Sequence, residues 1–335
     1  MLANIILIFS KYKKVSMWYY QLYNLTIQTT IEFPNLQTCS TSTIASSDIQ
    51  IKLGKVAPLF DVIHYIKEWD ELSYTVGLVD GKLTTLINYK EVARYLIQDG
   101  QSITIQKMPF GTVVDMESYL ISLALSSLLF QRGYFLLHGA TVVKNGQAYI
   151  ILGSSGSGKT STTVGLMKSG YSILAEDITV LKYIDGIPYI IPGVPYVKLL
   201  RDVADRENFD WDTLNLLYSD DEKRAYLLDK EYEVAPTPLR KIYSLDATQV
   251  ETLTLNEITD TEDKFATIAM NIHYPYFFEG YDIEEYYTNM AYQLLDDISF
   301  RKLERPIGKN TLNEMLDLLE KDFTVLKKQS ANLKL

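Results

Sequence analysis

Cysteine is almost absent: Cys39 is the single one in 335 residues. This excludes an intramolecular disulfide framework and a cysteine-built metal site, and it suits a reducing compartment. Histidine is nearly as scarce, with His64, His138 and His273. Positive charge is outweighed, since 32 Lys and Arg face 42 Asp and Glu for a formal net charge of −10. A broad surface for nucleic acid or anionic membrane is therefore not expected. The N-terminal apolar run, Met1 to Ser10 (MLANIILIFS), is too short to span a bilayer. Its lysines, Lys11, Lys13 and Lys14, follow the run instead of preceding it as in a secretory signal. We expect a cytoplasmic protein without stable membrane insertion. Internal repeats and coiled-coil heptads are missing. The 25 tyrosines lack the aromatic–basic interleaving of a single-strand nucleic-acid site.

Apolar residues make up 47% of the chain, so a sizeable core can be buried and disorder is not expected. The first third reads mostly as strand: Trp18 to Phe33 as a hairpin, then Asp48 to Lys52, Leu72 to Val79, Leu83 to Asn88 and Ser102 to Gln106. Asp80-Gly81 is a hairpin turn. Gln37 to Ser47 reads as loop, and Tyr89 to Leu96 as a short helix. Met116 to Arg132 has helical spacing and is closed by Gly133. Strands follow at Tyr134 to His138, Ala140 to Lys144, Ala148 to Leu152, Ser172 to Glu176 and Thr179 to Tyr183. Arg201 to Lys230 reads as loop and irregular helix. Further on, strands are expected at Ile242 to Leu245 and Phe300 to Leu303, and helices at Asp282 to Asp297 and Thr311 to Leu319. The expected fold is α/β, with a mixed sheet in the second part. A β-rich N-terminal region, residues 1–110, precedes a loop-bearing core over residues 111–335.

The segment from Gly153 to Thr160 (GSSGSGKT) fits G-x-x-x-x-G-K-[ST]. The apolar strand before it and the helix from Thr160 to Lys168 after it supply the strand–loop–helix context that the motif requires. Backbone N–H groups of Gly153, Ser154, Ser155, Gly156, Ser157 and Gly158, with Lys159, Thr160 and Ser161, would hold phosphate oxygens at the positive end of the helix. Lys159 would reach the outer phosphates, and the Thr160 hydroxyl would ligate Mg²⁺. A nucleotide, ATP by default, and Mg²⁺ are the expected ligands.

Glu176-Asp177 ends the apolar strand after the loop helix. One carboxylate there can hold Mg²⁺ and the other can accept a proton from an attacking hydroxyl. An exposed acidic turn is the plainer alternative. His138, before the loop, could tune a proton acceptor or pair with a phosphate oxygen, or be a core histidine satisfied by backbone. Among Arg201, Arg240, Arg301 and Arg305, Arg240 is taken as the candidate to offset charge on a moving phosphoryl group.

The stretch from His138 to Asp177 resembles the HPr kinase/phosphorylase family, whose nucleotide-binding core is shared with phosphoenolpyruvate carboxykinase. The shared pattern is His-Gly, two strands, GSSGSGKT, a helix ending Lys168-Ser169-Gly170, and a strand ending in two carboxylates. The resemblance implies that His138 is the active-site histidine, Glu176 the general base and Asp177 the metal-associated carboxylate. It departs in having Glu-Asp where the family usually has Asp-Asp. The family's glycine-rich signature after Glu-Ile/Val-Arg is also absent, and IPYIIPGVPYVKLL stands there instead. This weakens the case for HPr itself as acceptor and for phosphorylase activity. The flanks from about Asp48 to Glu320 look more like diverged relatives that phosphorylate a serine on ribosomal precursor peptides, lasso peptides included. The resemblance thus implies an ATP- and Mg²⁺-dependent kinase acting on a hydroxyl of a peptide or protein, with homo-oligomerisation by analogy. A kinase of a free amino acid and a non-catalytic nucleotide sensor are the alternatives.

Overall fold

The computed structural model describes residues 16–39 and 46–324, so the N-terminal apolar run and most of the Ser/Thr-rich loop lie outside the described residues. The chain forms two units.

The first unit comprises residues 1–133 with Glu279–Tyr281. Its sheet has strands β1 (Trp18–Leu22), β2 (Leu25–Thr29), β3 (Ile49–Leu53), β4 (Val62–Glu68), β5 (Leu72–Val79), β6 (Lys82–Tyr89), β7 (Ala93–Gln98) and β8 (Ser102–Lys107), in the order β1-β2-β3-β8-β7-β6-β5-β4. The expected helix at Tyr89 to Leu96 is instead a turn followed by β7. Ala93, Tyr95 and Ile97 alternate inward on that strand, and β6 and β8 flank it to complete the ladder. Turns whose two central residues both have positive φ close three of the hairpins, at Tyr23-Asn24, Asp80-Gly81 and Asp99-Gly100.

Helix α1 (Val113–Gln131) belongs to this unit, so the boundary falls at Gly133 and not near residue 110. It starts at a capping box. The Thr112 hydroxyl accepts from the Asp115 N–H at 3.1 Å, and the Asp115 carboxylate accepts from the Thr112 N–H at 3.3 Å. Its middle, Leu120–Leu125, widens into a π turn. Its length and composition would suit a membrane span, yet most of it is buried within the protein. Its buried serines are satisfied along the helix: Ser122 donates to the Ser118 carbonyl and Ser126 to the Ser122 carbonyl.

Glu117 is buried on this helix and accepts from the Asn35 backbone N–H at 3.0 Å and side-chain amide at 3.2 Å. Burial pushes its carboxyl from 4.5 up to about 8, against the pull of the Asn35 hydrogen bonds. The folded state therefore holds a proton that the unfolded chain gives up. This contribution to stability is full below about pH 4.5 and is lost as pH rises through about 8. Urea unfolding between pH 6 and 9 should show a loss of roughly 1–3 kcal/mol in the wild type. Glu117→Gln should remove its share of that slope, and an unchanged slope would contradict the assignment.

The second unit, residues 134–278 and 282–335, carries the loop. Its strands are β9 (Phe135–Lys144), β10 (Gln147–Leu152), β11 (Ser172–Ala175), β12 (Ile178–Ile184), β13 (Ile187–Ile191), β14 (Tyr196–Leu200), β15 (Asn215–Leu216), β16 (Lys223–Leu227), β17 (Thr237–Thr248), β18 (Thr254–Ile258) and β19 (Ser299–Pro306). The helices are α2 (Lys159–Lys168), α3 (Arg201–Arg206), α4 (Thr261–Ala269), α5 (Glu284–Asp297) and α6 (Leu312–Thr324).

The main sheet runs β10-β9-β12-β13-β17-β19-β18, with β11 also on β9 and a further pairing between β10 and β17. β9 is one ten-residue strand, where two were expected. It passes through Gly139 because β10 lies so close: a Cβ there would sit 2.7 Å from the Leu152 side chain and 2.9 Å from the Ile151 carbonyl. β10, β17 and β19 are parallel, with Leu152 level with Ser244 and Ser244 level with Lys302. Their carboxyl ends share one edge of the sheet, and α2 begins there. Val164, Leu166 and Met167 of α2 join Ile151, Tyr243, Leu245 and Leu319 in the core beneath. The segment expected as irregular, Arg201 to Lys230, holds α3, β15 and β16. Antiparallel pairing of β16 with β14 gives it order that local sequence does not signal.

Candidate active site

The loop leaves β10 in a backbone that favours glycine. Gly153, Gly156 and Gly158 have φ values of 149°, 80° and 111°. At Gly153 a Cβ would meet the Leu245 carbonyl oxygen at 2.4 Å and the Ser157 hydroxyl at 2.7 Å. The loop is thus pressed against the carboxyl end of β17. Asn271 fixes its start by accepting from the Gly153 N–H at 3.1 Å. Lys159 folds back to donate to the carbonyls of Gly153 at 2.6 Å and Ser154 at 3.1 Å. Arg305, at the end of β19, donates to the carbonyls of Ser157 and Gly156. Arg206 on α3 donates to the Ser161 hydroxyl at 2.6 Å.

A cleft of about 400 Å³ opens over the loop, lined by His138, Lys159, Thr160, Glu176, Asp177 and Lys198 among others. The two carboxylates are neighbours in sequence and would point to opposite faces of a continuing strand. They share the cleft because Asp177 breaks the strand. Its φ is +68°, and the Ile178 N–H donates to the Glu176 carbonyl across it. A non-glycine residue in that conformation costs about 1–3 kcal/mol, the kind of strain found at functional sites.

The carboxylates differ in state. Glu176 is 7% exposed, and its Oε2 has no hydrogen-bond partner. Burial, reinforced by the Asp177 charge, raises its carboxyl to about 8 against the pull of Lys198 and Lys223. Burial works to raise Asp177 too, but the Lys198 ammonium at 2.6 Å, aided by His138 and His273, holds it well below the usual carboxylate range. Neighbouring groups with acid strengths pushed apart suit separate roles. His138 Nδ1 lies 3.4 Å from the Asp177 carboxylate. Burial lowers the basicity of His138 against that attraction, and Lys159, Lys198 and Lys223 lower it further. His273 lies nearly parallel to His138, with ring centroids 6.2 Å apart.

Among the described residues no group of three or more His, Cys, Asp or Glu could hold a metal ion by itself. The donors fit Mg²⁺ bound in a different way, through one or two protein oxygens together with phosphates and water. Thr160 and Asp177 face the cleft, and the buried Ser157 hydroxyl and Glu176 Oε2 remain without partners. Such unpaired oxygens suit a polar ligand there.

Of the residues expected from sequence, the loop, His138, Glu176 and Asp177 come together, and Arg240 does not. Leu152 leads into the loop and is level with Ser244. Arg240 sits four residues earlier on β17, about 13 Å back along the strand, and lines a separate cleft with Glu257 and Asp296. Arg305 and Arg206 stand at the loop instead. Lys198 and Lys223 were not singled out in the sequence. A lysine inside the apolar run Val194 to Leu200 was the available signal, since buried lysines are rarely unpaired.

No family model matches the chain. A 67-residue segment is 37% identical to the HPr kinase/phosphorylase of Clostridium novyi (strain NT), covering 18% of this chain and 22% of that protein. The HPr kinase/phosphorylase of Clostridium kluyveri matches to the same extent. Among solved structures, the HPr(Ser) kinase/phosphatase from Coxiella burnetii aligns at a TM-score of 0.30 and 13% identity, over 56% of this chain and 95% of that one. The chain is thus similar to these HPr kinase/phosphorylases over one segment, which spans less than a quarter of their length.

Proposed function

We propose that this protein is an ATP- and Mg²⁺-dependent kinase that phosphorylates a hydroxyl, a serine of a peptide or protein. The observation that carries the reading is the break at Asp177, which turns two carboxylates of opposite acid strength into the cleft above the loop. The loop amides and Lys159 orient the triphosphate. Glu176, in the ionised form that burial makes the minority below about pH 8, takes the proton from the acceptor hydroxyl on its unpaired oxygen. The hydroxyl oxygen bonds to the γ-phosphorus as the bond to the β–γ bridging oxygen breaks, and ADP leaves with that electron pair. Thr160 and Asp177 would hold Mg²⁺, which would neutralise charge on the phosphates. His138 and Lys198 hold the Asp177 carboxylate in place.

Incubation with labelled ATP, Mg²⁺ and serine-containing peptides, including precursor peptides encoded nearby, tests this directly. Label on a serine is the expected result. A folded protein that binds ATP and transfers phosphate neither to water nor to any hydroxyl would sink the kinase reading. That outcome would favour a nucleotide sensor, which the engagement of Asp177 by Lys198 at 2.6 Å would also suit.

A further inference from the structure

The cleft holds more positive charge than the triphosphate uses, in a chain whose formal net charge is −10. Antiparallel pairing sets Lys198 against Ala225 and Leu200 against Lys223. Lys198 and Lys223 are therefore diagonal neighbours on one face of the β14–β16 pair, about 7–8 Å apart. Both line the cleft. Arg224, the next residue on β16, is held elsewhere by Asp221 and the Trp211 carbonyl.

Two ammonium groups at that spacing repel each other unless each is offset. Lys198 has Asp177 at 2.6 Å. Lys223 makes no side-chain hydrogen bond or ion pair among the described residues. It lines the cleft together with Glu176 and His138. Lys159 and Arg305 are bound to the phosphate loop, and Arg206 to the Ser161 hydroxyl. Lys223 is thus the cleft cation that neither a carboxylate nor a loop group holds among the described residues.

We propose that Lys223 selects the acceptor by binding an anionic group carried next to the reacting hydroxyl, so that the preferred acceptor is a serine flanked by Asp or Glu. Resting on the kinase reading, this assigns one more residue within the same cleft. In an extended peptide a side chain two residues from the serine lies about 7 Å away along the chain.

The test compares two synthetic peptides, Gly-Asp-Gly-Ser-Gly-Asp-Gly and Gly-Lys-Gly-Ser-Gly-Lys-Gly, with labelled ATP and Mg²⁺. The proteins are the wild type and Lys223→Arg, Lys223→Gln and Lys223→Glu. The wild type should favour the acidic peptide by about tenfold in kcat/KM, mainly through KM, as one partly shielded charge pair provides. Lys223→Arg should keep the preference, Lys223→Gln should lose it, and Lys223→Glu should invert it. Equal kcat/KM for both peptides in the wild type overturns the proposal. So does an equal loss on both in Lys223→Gln, which marks a merely structural lysine. Turnover of ATP to water with no label on either peptide overturns the acceptor assignment and leaves phosphoryl transfer standing. Absence of any turnover fails the kinase reading itself, and the acceptor assignment falls with it.

Discussion

Glu176→Gln is expected to lower phosphoryl transfer by about 10²–10⁴-fold, the range for loss of a positioned general base, and to leave nucleotide affinity within about twofold of wild type. The substitution keeps size and shape at a site that is 7% exposed, so packing should survive. No loop group hydrogen-bonds to the Glu176 side chain, and its Oε2 stands without a partner. The phosphate cradle is held instead by Asn271, Arg305 and Lys159. Only the ability to accept a proton is removed. Isothermal titration with ATP, run beside a transfer assay, separates binding from chemistry. Unchanged transfer would remove Glu176 from the base role, and loss of ATP binding would show that it supports the loop. Glu176→Asp tests reach: its carboxylate is one methylene shorter and should retain partial activity.

The same variant has a stability signature with a determined sign. Burial holds the Glu176 proton up to about pH 8, while the ordinary value is 4.5. The native state binds more protons than the unfolded chain between those values, so stability falls as pH rises through that window. The limiting slope for one proton is about 1.4 kcal/mol per pH unit. In metal-free buffer the glutamine variant should lack this component, gain on the wild type as pH rises from about 4.5 to about 8, and level off above that.

How much of this was legible in the sequence depends on how local each cause is. The loop was legible because glycine spacing, the apolar strand before it and the helix after it all lie within some twenty residues. The acidic pair was legible for the same reason, and so were turns such as Asp80-Gly81. The helix expected at Tyr89 to Leu96 failed because a six-residue strand between two others is set by its neighbours and not by its own propensity. Arg240 failed on direction. It was chosen for lying just before a strand, whereas the parallel strands present their carboxyl ends to the loop. The arginine to seek was at the far end of a parallel strand, and Arg305 occupies it. Lys198, Lys223 and Arg206 come from a segment whose fold depends on β16 returning to β14, a pairing across about 25 residues. No local pattern announces such a pairing.

Lys198 should produce the largest stability effect in the site. It is a lysine with a side chain only 12% exposed, and its ammonium lies 2.6 Å from the Asp177 carboxylate. Burial works against its charge, but Asp177 more than compensates and raises its proton affinity well above the ordinary value. Lys198→Met keeps the length of the stem and removes the charge. It leaves Asp177 with its strained backbone and with His138, whose basicity burial lowers, at 3.4 Å. Breaking a buried pair by removing one partner costs about 3–5 kcal/mol. Asp177 is 29% exposed, and water can offset part of that, so we expect roughly 2–3 kcal/mol at neutral pH. Asp177→Asn alone strands the buried ammonium instead, and it should cost as much or more because Lys198 is the more buried partner. The double variant Lys198→Met with Asp177→Asn removes both charges and should recover part of the loss, giving a coupling energy of about 1–3 kcal/mol in urea unfolding with chelator present. Additive losses would mean that the two side chains stabilise the site separately. Lys198 would then contribute as packing for β14, and the fixed negative charge beside Glu176 would need another source.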